Sequence, residues 1–260
     1  MKNKKSLGQN WLNDRPTLET IADLAADFPE AVLEHPPKLC VEIGPGLGTL
    51  TSSLLKRFDR VLAVEFDQQL AANLPQSFPG KALQVVNADI LQFDFSTIKE
   101  PFVVAGNIPY YITTPIIEKL LTLPTPSTNI VLLVQKEVAE KAAALHGNSS
   151  FSLFIDNFAK ATLGPIVPRG LFTPPPKVDS RVLVLTPRTV PQASLSVLKF
   201  IHQAFANPRK KLVSNLVSLT GRPKSELEAE LATLGLNQNA RPADLSLADY
   251  IKLAELLVKS

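Results

Sequence analysis

Between Leu39 and about Arg169 the chain alternates short apolar runs with helical patterns, and this alternation limits the possible folds more than any other feature. The runs LCVEIG, VLAVE, LQVVNAD, PFVVAGN and NIVLLVQ are separated by stretches such as LTSSLLKRF, QQLAANL, PIIEKLLTL and KEVAEKAAALH, whose apolar positions recur three and four apart. Strand and helix in regular succession mark βαβ units and a parallel sheet, and runs this rich in Val, Leu and Ile suit strands covered on both faces. The expected class is α/β, with a Rossmann-like sheet. Ahead of it, DRPTLETIADLAADF predicts a leading helix with Asp14 as N-cap and Pro16 in the first turn. A Pro-rich joint, FTPPPKVD from Phe172 to Asp179, precedes one more strand, SRVLVLTP.

Beyond that strand the pattern is helical throughout. SLSVLKFIHQAFA, RKKLVSNLVSLTG, KSELEAELATLG and SLADYIKLAELLVKS each carry apolar residues at helical spacing. Ser225 and Ser246 are candidate N-caps, and Gly221 and Gly235 stand where left-handed C-caps belong. The expected division is a sheet domain over 1–187, led by a basic arm over 1–15, and a small all-helical domain over 188–260.

Composition excludes several classes. Hydrophobic residues at 45% and charged residues at 20% suit an ordinary globular protein. No apolar run approaches the roughly 18 to 20 residues that span a bilayer, and the basic start MKNKKSLGQNW has no apolar segment behind it, so a cytoplasmic protein away from membranes is expected. A single cysteine, Cys40, and three scattered histidines (His35, His146, His202) lack metal-ligand spacing, so no metal is expected. Between Asp179 and Glu226 lie eight basic residues, Arg209, Lys210 and Lys211 among them, and no acidic one. Such a stretch suits a polyanion, since each cation that neutralises a phosphate releases counterions, although a solvated basic face has the same composition.

In open α/β sheets ligands bind at the carboxyl ends of the strands. After the first strand comes VEIGPGLGTLT, with Gly44, Gly46 and Gly48 allowing a tight turn and close approach of a ligand. The dinucleotide fingerprint needs a further glycine where Thr49 stands, and no Gly-Lys-Ser/Thr closes a phosphate loop. Glu42, Glu65, Asp89 and Asn107 end four strands in succession. Glu65 is placed to take ribose hydroxyls and Asp89 an adenine amine. A nucleoside without phosphates and with a cationic tail, S-adenosylmethionine, fits this acidic row better than a dinucleotide.

The stretch AGNIPYYITTP follows the fourth strand with an amide, a proline and two phenols. The exocyclic nitrogen of adenine is a poor nucleophile, because its lone pair is delocalised, until its N–H groups are held by acceptors. The side-chain oxygen of Asn107 and the carbonyl of Ile108 can be those acceptors, with Pro109 stiffening the turn and Tyr110 stacking on a base taken out of its helix. No general base is needed, since the methylated ammonium loses its proton to solvent.

NIPYYITTP resembles the Asn-Ile/Leu-Pro-Tyr/Phe motif of adenine-N6 methyltransferases, and the chain as a whole resembles the KsgA/RsmA family, the small-subunit ribosomal RNA adenine dimethyltransferases. KKSLGQNWLND, EIGPGLGTLT, VEFD, NADIL, VQKEVAEK, FTPPPKVDSRV and FANPRKKLVSNL carry the likeness in order along nearly the full length. The resemblance implies an S-adenosylmethionine-dependent sheet domain that dimethylates N6 of two adjacent adenines in a hairpin loop near the 3′ end of 16S rRNA in the assembling small subunit, by a monomeric enzyme. It further implies that Asn10 and Leu12 help close the cofactor pocket, that Asn107 lies between cofactor and target, and that Phe172 stacks on the face of the adenine opposite Tyr110. Lys4, Lys5, Arg209, Lys210 and Lys211 would join the RNA surface. Trp11 stands in place of the usual Phe, and AALHGNSSFSLF is shorter than the family's loop and lacks its Tyr-Gly-Arg. The competing readings are a large-subunit (23S) adenine methyltransferase and a non-catalytic RNA-binding factor on the same fold.

Overall fold

The computed structural model describes residues 9–28, 32–145 and 147–257. In chain order the elements are β1 (Trp11–Leu12), α1 (Arg15–Ala25), β2 (Leu39–Ile43), α2 (Thr49–Leu54), β3 (Arg60–Glu65), α3 (Gln68–Asn73), β4 (Leu83–Asn87), β5 (Phe102–Asn107), α4 (Thr113–Leu121) and β6 (Ile130–Gln135). They continue with α5 (Lys136–Ala142), α6 (Ser150–Phe158), β7 (Ala159–Val167), β8 (Phe172–Thr173), β9 (Ser180–Pro187), α7 (Leu195–Ala204), α8 (Leu212–Thr220), α9 (Lys224–Thr233) and α10 (Leu247–Leu257).

The five apolar runs of the alternating region form one parallel array in the order β4-β3-β2-β5-β6. β9 adds antiparallel to β6, and β7 lies beyond it. β2 is buried over its whole length and β6 over all but its last residue, as expected for strands with helices on both faces, whereas β4 at the edge is only partly covered. Chain order runs outward from β2 to β3 and β4, then returns to β5 on the other side of β2. That reversal opens a crevice at the carboxyl ends of β2 and β5, the place where such sheets bind ligands. β7 lies outside the runs read from the sequence, because Gly164 and Pro165 interrupt its apolar pattern.

Local chemistry explains the element ends. The Asp14 carboxylate accepts the Thr17 backbone N–H at 3.0 Å and caps α1, which buries Leu18, Ile21, Ala22 and Ala25 at helical spacing. Gly221 ends α8 with φ near +70°, and Gly235 takes the same left-handed conformation after α9. Ser246 caps α10 by receiving the Asp249 N–H while giving its own N–H to that carboxylate. Ser225 is not a cap: α9 begins one residue earlier, at Lys224, with Pro223 before it.

The described chain separates into two compact units. One takes the described residues up to Ala139 together with Lys160–Arg188, and the other Glu140–Ala159 with the described residues from Thr189 on. The segment 140–159, assigned from the sequence to the sheet domain, thus groups with the helices. It contains α6, capped reciprocally by Ser149 and Ser152, and contributes Leu153 to the core built around Phe200, Leu212, Leu216, Leu231 and Tyr250. The sheet unit has its own core, where Leu18, Ile21 and Leu54 meet Val103, Val131 and Val182. Among the described residues no helix is long and apolar enough to cross a membrane.

Candidate active site

The carboxyl ends of β2, β3, β4 and β5 enclose a cavity of about 230 Å³ within the sheet unit. Parallel register puts the chemistry on one edge. Glu42 pairs with Ala105 of β5, Ile43 lies between Val64 and Gly106, and Glu65 pairs with Asn87. The chain therefore delivers Glu42, Glu65, Asp89 and Asn107 to a single wall system, which Asn10, Trp11 and Leu12 also line.

Glu65 is 6% exposed and doubly bonded. Its Oε1 accepts the Asp67 N–H at 2.8 Å and its Oε2 accepts the Gly46 N–H at 3.0 Å. Burial raises its pKa, against the pull of these two N–H groups. The carboxylate thus ties the glycine turn after β2 to the end of β3. Gly46 adopts φ near +58°, and a Cβ there would sit 3.1 Å from the Trp11 indole nitrogen. Glycine is required both for the turn and for the ring that lies over it.

Glu42 is 1% exposed, and its Oε2 accepts the Thr51 hydroxyl at 2.6 Å. Its Oε1 is buried with no hydrogen-bond partner. Burial pushes its pKa up to about 8, with the Glu65 carboxylate adding to the rise and the Thr51 hydroxyl opposing it. A buried carboxyl oxygen that lacks a partner and lines a cavity is a place for a donor or a cation. Asp89 follows β4 and also lines the cavity, one oxygen receiving the Leu91 N–H at 2.9 Å.

On the other side stands the Asn107–Tyr111 loop. The Asn107 amide nitrogen donates to the Asn10 carbonyl at 2.9 Å. Because a carbonyl oxygen only accepts, this contact fixes the amide's orientation and puts Oδ1, an acceptor, at its other end. Ile108, Pro109 and Tyr110 all line the cavity. The Tyr110 hydroxyl lies 2.6 Å from the Ser180 hydroxyl at the start of β9, and burial raises the phenol's pKa. Tyr111 also lines the cavity and is 65% exposed.

Two expected site residues are elsewhere. Phe172, expected at the open face of a target base, is 3% exposed and belongs to the sheet-unit core, where β8 pairs it with Leu12. It is not among the cavity's lining residues. An apolar ring ahead of three prolines gains more from that packing than from a cavity edge. Gly48 does not line the cavity either: a Cβ there would come within 2.7 Å of Leu74 and Phe78, so its glycine serves the packing of α2. Arg209, Lys210 and Lys211 are exposed residues just before α8, with the Lys211 ammonium 2.6 Å from the Asn239 side-chain oxygen. Lys4 and Lys5, like His146, lie outside the described residues.

Sequence reasoning missed Thr51 and Ser180, the partners of Glu42 and Tyr110. Thr51 follows the glycine turn at helical spacing, a readable signal, whereas nothing near Ser180 in sequence announces Tyr110.

Comparison with known proteins agrees with this geometry. The family model described as ribosomal RNA adenine dimethylase matches residues 1–259. Ribosomal RNA small subunit methyltransferase A of Bacillus pumilus is 36% identical over 99% of this chain and 92% of its own. The protein of the same description from Mycoplasma mycoides is 31% identical over 100% and 99%. Among solved structures, the 23S rRNA methyltransferase ErmE superposes with a TM-score of 0.77 at 30% identity, covering 96% of this chain and 100% of that one. A dimethyladenosine transferase from Plasmodium falciparum gives 0.78 at 25% identity, covering 95% and 97%.

Proposed function

The chain belongs to the ribosomal RNA adenine dimethylase family, and we propose that it methylates N6 of two adjacent adenines, twice each, in a hairpin loop near the 3′ end of 16S rRNA. The observation that carries this reading is the Asn107 amide. Its nitrogen is held by the Asn10 carbonyl, so its oxygen is available as an acceptor on the cavity that Glu42, Glu65 and Asp89 also line.

The residues present fit S-adenosylmethionine. Glu65 is placed for ribose hydroxyls, Asp89 for the adenine amine, the Gly44–Gly46 backbone for close approach, and the unpartnered Glu42 Oε1 for the cationic tail. When bound, the cofactor supplies an electrophilic methyl group on a sulfonium. This chain's residues then orient and exclude. Asn107 Oδ1 and the Ile108 carbonyl accept the two N–H groups of the target amine, drawing its lone pair out of the ring and aiming it at the cofactor. Pro109 holds the turn, and Tyr110 stacks on the base, a contact worth about 1–3 kcal/mol. Trp11 and Leu12 cover the cavity and keep water from the reacting centre. The proton released after transfer passes to solvent. In the helical unit, Arg209, Lys210 and Lys211 contact rRNA phosphates. The enzyme acts as a monomer on the assembling small subunit in the cytoplasm.

The likeness to ErmE favours one other reading, methylation of large-subunit rRNA. Incubation with radiolabelled S-adenosylmethionine and both subunits from a strain lacking these modifications separates the two. N6,N6-dimethyladenosine in small-subunit RNA is expected; label confined to the large subunit would transfer the assignment.

A further inference from the structure

Beside the Tyr110 end of the cavity the sheet unit carries a basic corner that the methyl chemistry does not use. It is organised by Asp179, the last residue before β9. The Asp179 carbonyl accepts the Lys136 N–H at 3.0 Å, and its carboxylate accepts the Arg169 N–H, also at 3.0 Å. The Arg169 guanidinium donates to the Lys177 carbonyl at 3.2 Å. These contacts gather Lys136, Arg169 and Lys177 around one residue, and the next residue, Ser180, bonds the Tyr110 hydroxyl. Arg169 and Lys177 are exposed and Lys136 half-buried.

Elsewhere on this unit several cations are paired with carboxylates, and Lys119 is bound to the Leu91 and Phe93 carbonyls. Arg57 binds Glu19 and Asp23, Lys56 binds Glu19, and Arg60 binds Glu100. Among the described residues no carboxylate forms an ion pair with Lys136, Arg169 or Lys177. Of the nearest acids in sequence, Asp179 is occupied by the loop's own N–H group and Glu137 is exposed on α5. Three cationic residues whose backbones are tied together, next to the residue proposed to stack on the target base, suit an RNA strand. The phosphates flanking a base are carried wherever that base is carried, and arginine and lysine are the side chains that hold them.

We propose that Lys136, Arg169 and Lys177 form a phosphate site for the RNA strand on either side of the target adenine. The site is distinct from the Arg209–Lys211 stretch of the helical unit. It rests on the rRNA adenine dimethylase reading. The bonds to the Asp179 carbonyl and carboxylate fix the corner relative to Ser180, so a strand seated on it presents its base to Tyr110 in a set register. The occupant is an RNA backbone, because the corner offers positive charge at several points beside the residue proposed to stack on the target base.

The test is the salt dependence of binding to an RNA hairpin with two adjacent adenines in its loop. Each phosphate contact to a single strand contributes about 0.7 to the slope of log affinity against log salt. A Lys136→Ala/Arg169→Ala/Lys177→Ala protein is expected to show a slope smaller by about 2, with S-adenosylmethionine affinity unchanged. A control removes Lys38, Lys81 and Lys99, which precede β2, β4 and β5 at the opposite, amino-terminal edge of the sheet; its slope should match wild type. If the triple alanine protein folds poorly, the Lys136→Gln/Arg169→Gln/Lys177→Gln protein replaces it; it keeps long polar side chains, loses the three charges and should show the same reduced slope. Equal slopes for wild type and the corner variant, or equal losses in corner and control, overturn the phosphate site while leaving the enzyme reading intact. Absence of any salt-dependent binding by the wild type overturns both.

Discussion

The two sides of the cavity are held in different ways. On the side proposed for the cofactor, Glu65 is fixed by N–H groups two and nineteen residues away, and Glu42 by a hydroxyl nine residues away. On the side proposed for the adenine, Asn107 is held by a carbonyl 97 residues distant and Tyr110 by a hydroxyl 70 residues distant. The bonds that fix Glu42 and Glu65 lie within one βαβ unit and its glycine turn. The second side is assembled from the leading segment, the β5 loop and the start of β9, so it forms only when the whole sheet unit has closed. Cofactor binding and methyl transfer should accordingly separate under mutation.

The largest separation is expected at Asn107. Asn107→Ala removes the acceptor for the target amine and leaves Glu65, Asp89 and Gly46 untouched. Methyl transfer should fall about 10²–10³-fold, as when one preorganised polar group is deleted from an active site, while cofactor affinity measured by calorimetry changes little. A variant that still transfers at the wild-type rate would break the proposed chemistry. One that loses both functions would show the two sides to be a single unit.

Glu42 tests the other side through pH. Its carboxyl has a folded-state pKa of about 8 against an ordinary value of 4.5, chiefly because burial disfavours the charge. A raised carboxyl pKa means that the folded state keeps a proton the unfolded state has released. Its stability contribution is therefore complete below about pH 4.5 and is lost progressively as pH rises to about 8. Glu42→Gln removes this loss. The variant should gain on the wild type across that window, reaching roughly a few kcal/mol at pH 8, read from denaturant midpoints at each pH. A cationic ligand should reverse the order, since it stabilises the carboxylate and not the amide. Added S-adenosylmethionine should therefore protect wild type more than Glu42→Gln, and parallel pH profiles would show that Glu42 titrates alike in the folded and unfolded states, with no raised pKa.

The same contrast explains what could be read in the sequence. β2, β3, β5 and β6 were legible because both faces are buried, so each strand is a run of apolar residues. The grouping of the cavity's carboxylates was legible because Glu42, Glu65 and Asp89 stand at or just past the ends of strands. β7 was not, because Gly164 and Pro165 break its pattern, and β1 and β8, two residues each, are too short to show any period. Phe172 was misplaced because its position among prolines said nothing of the core that receives it. Ser225 was misread because Pro223, with its fixed φ, starts α9 one residue sooner. β1, β8 and Phe172 depend on partners distant along the chain.

Ser180 gives the smallest and most discriminating effect. Its hydroxyl is the Tyr110 partner and is fully buried. The bond leaves the ring's apolar face unchanged and restricts only its orientation. Ser180→Ala should therefore raise KM for RNA while sparing kcat and cofactor affinity. A net hydrogen bond is worth about 0.5–1.5 kcal/mol, which corresponds to about 2- to 12-fold in KM. Tyr110→Phe removes the other end of the same bond and keeps the stacking ring, so its effect should be of the same size. The double variant decides between a bond and two separate roles. If the hydroxyl pair positions the ring, the double variant loses no more than either single one, because the second change removes a group already without its partner. Additive losses would mean that Ser180 and Tyr110 act independently, and that the adenine side is held by packing of the β5 loop instead of by its distant tether to β9.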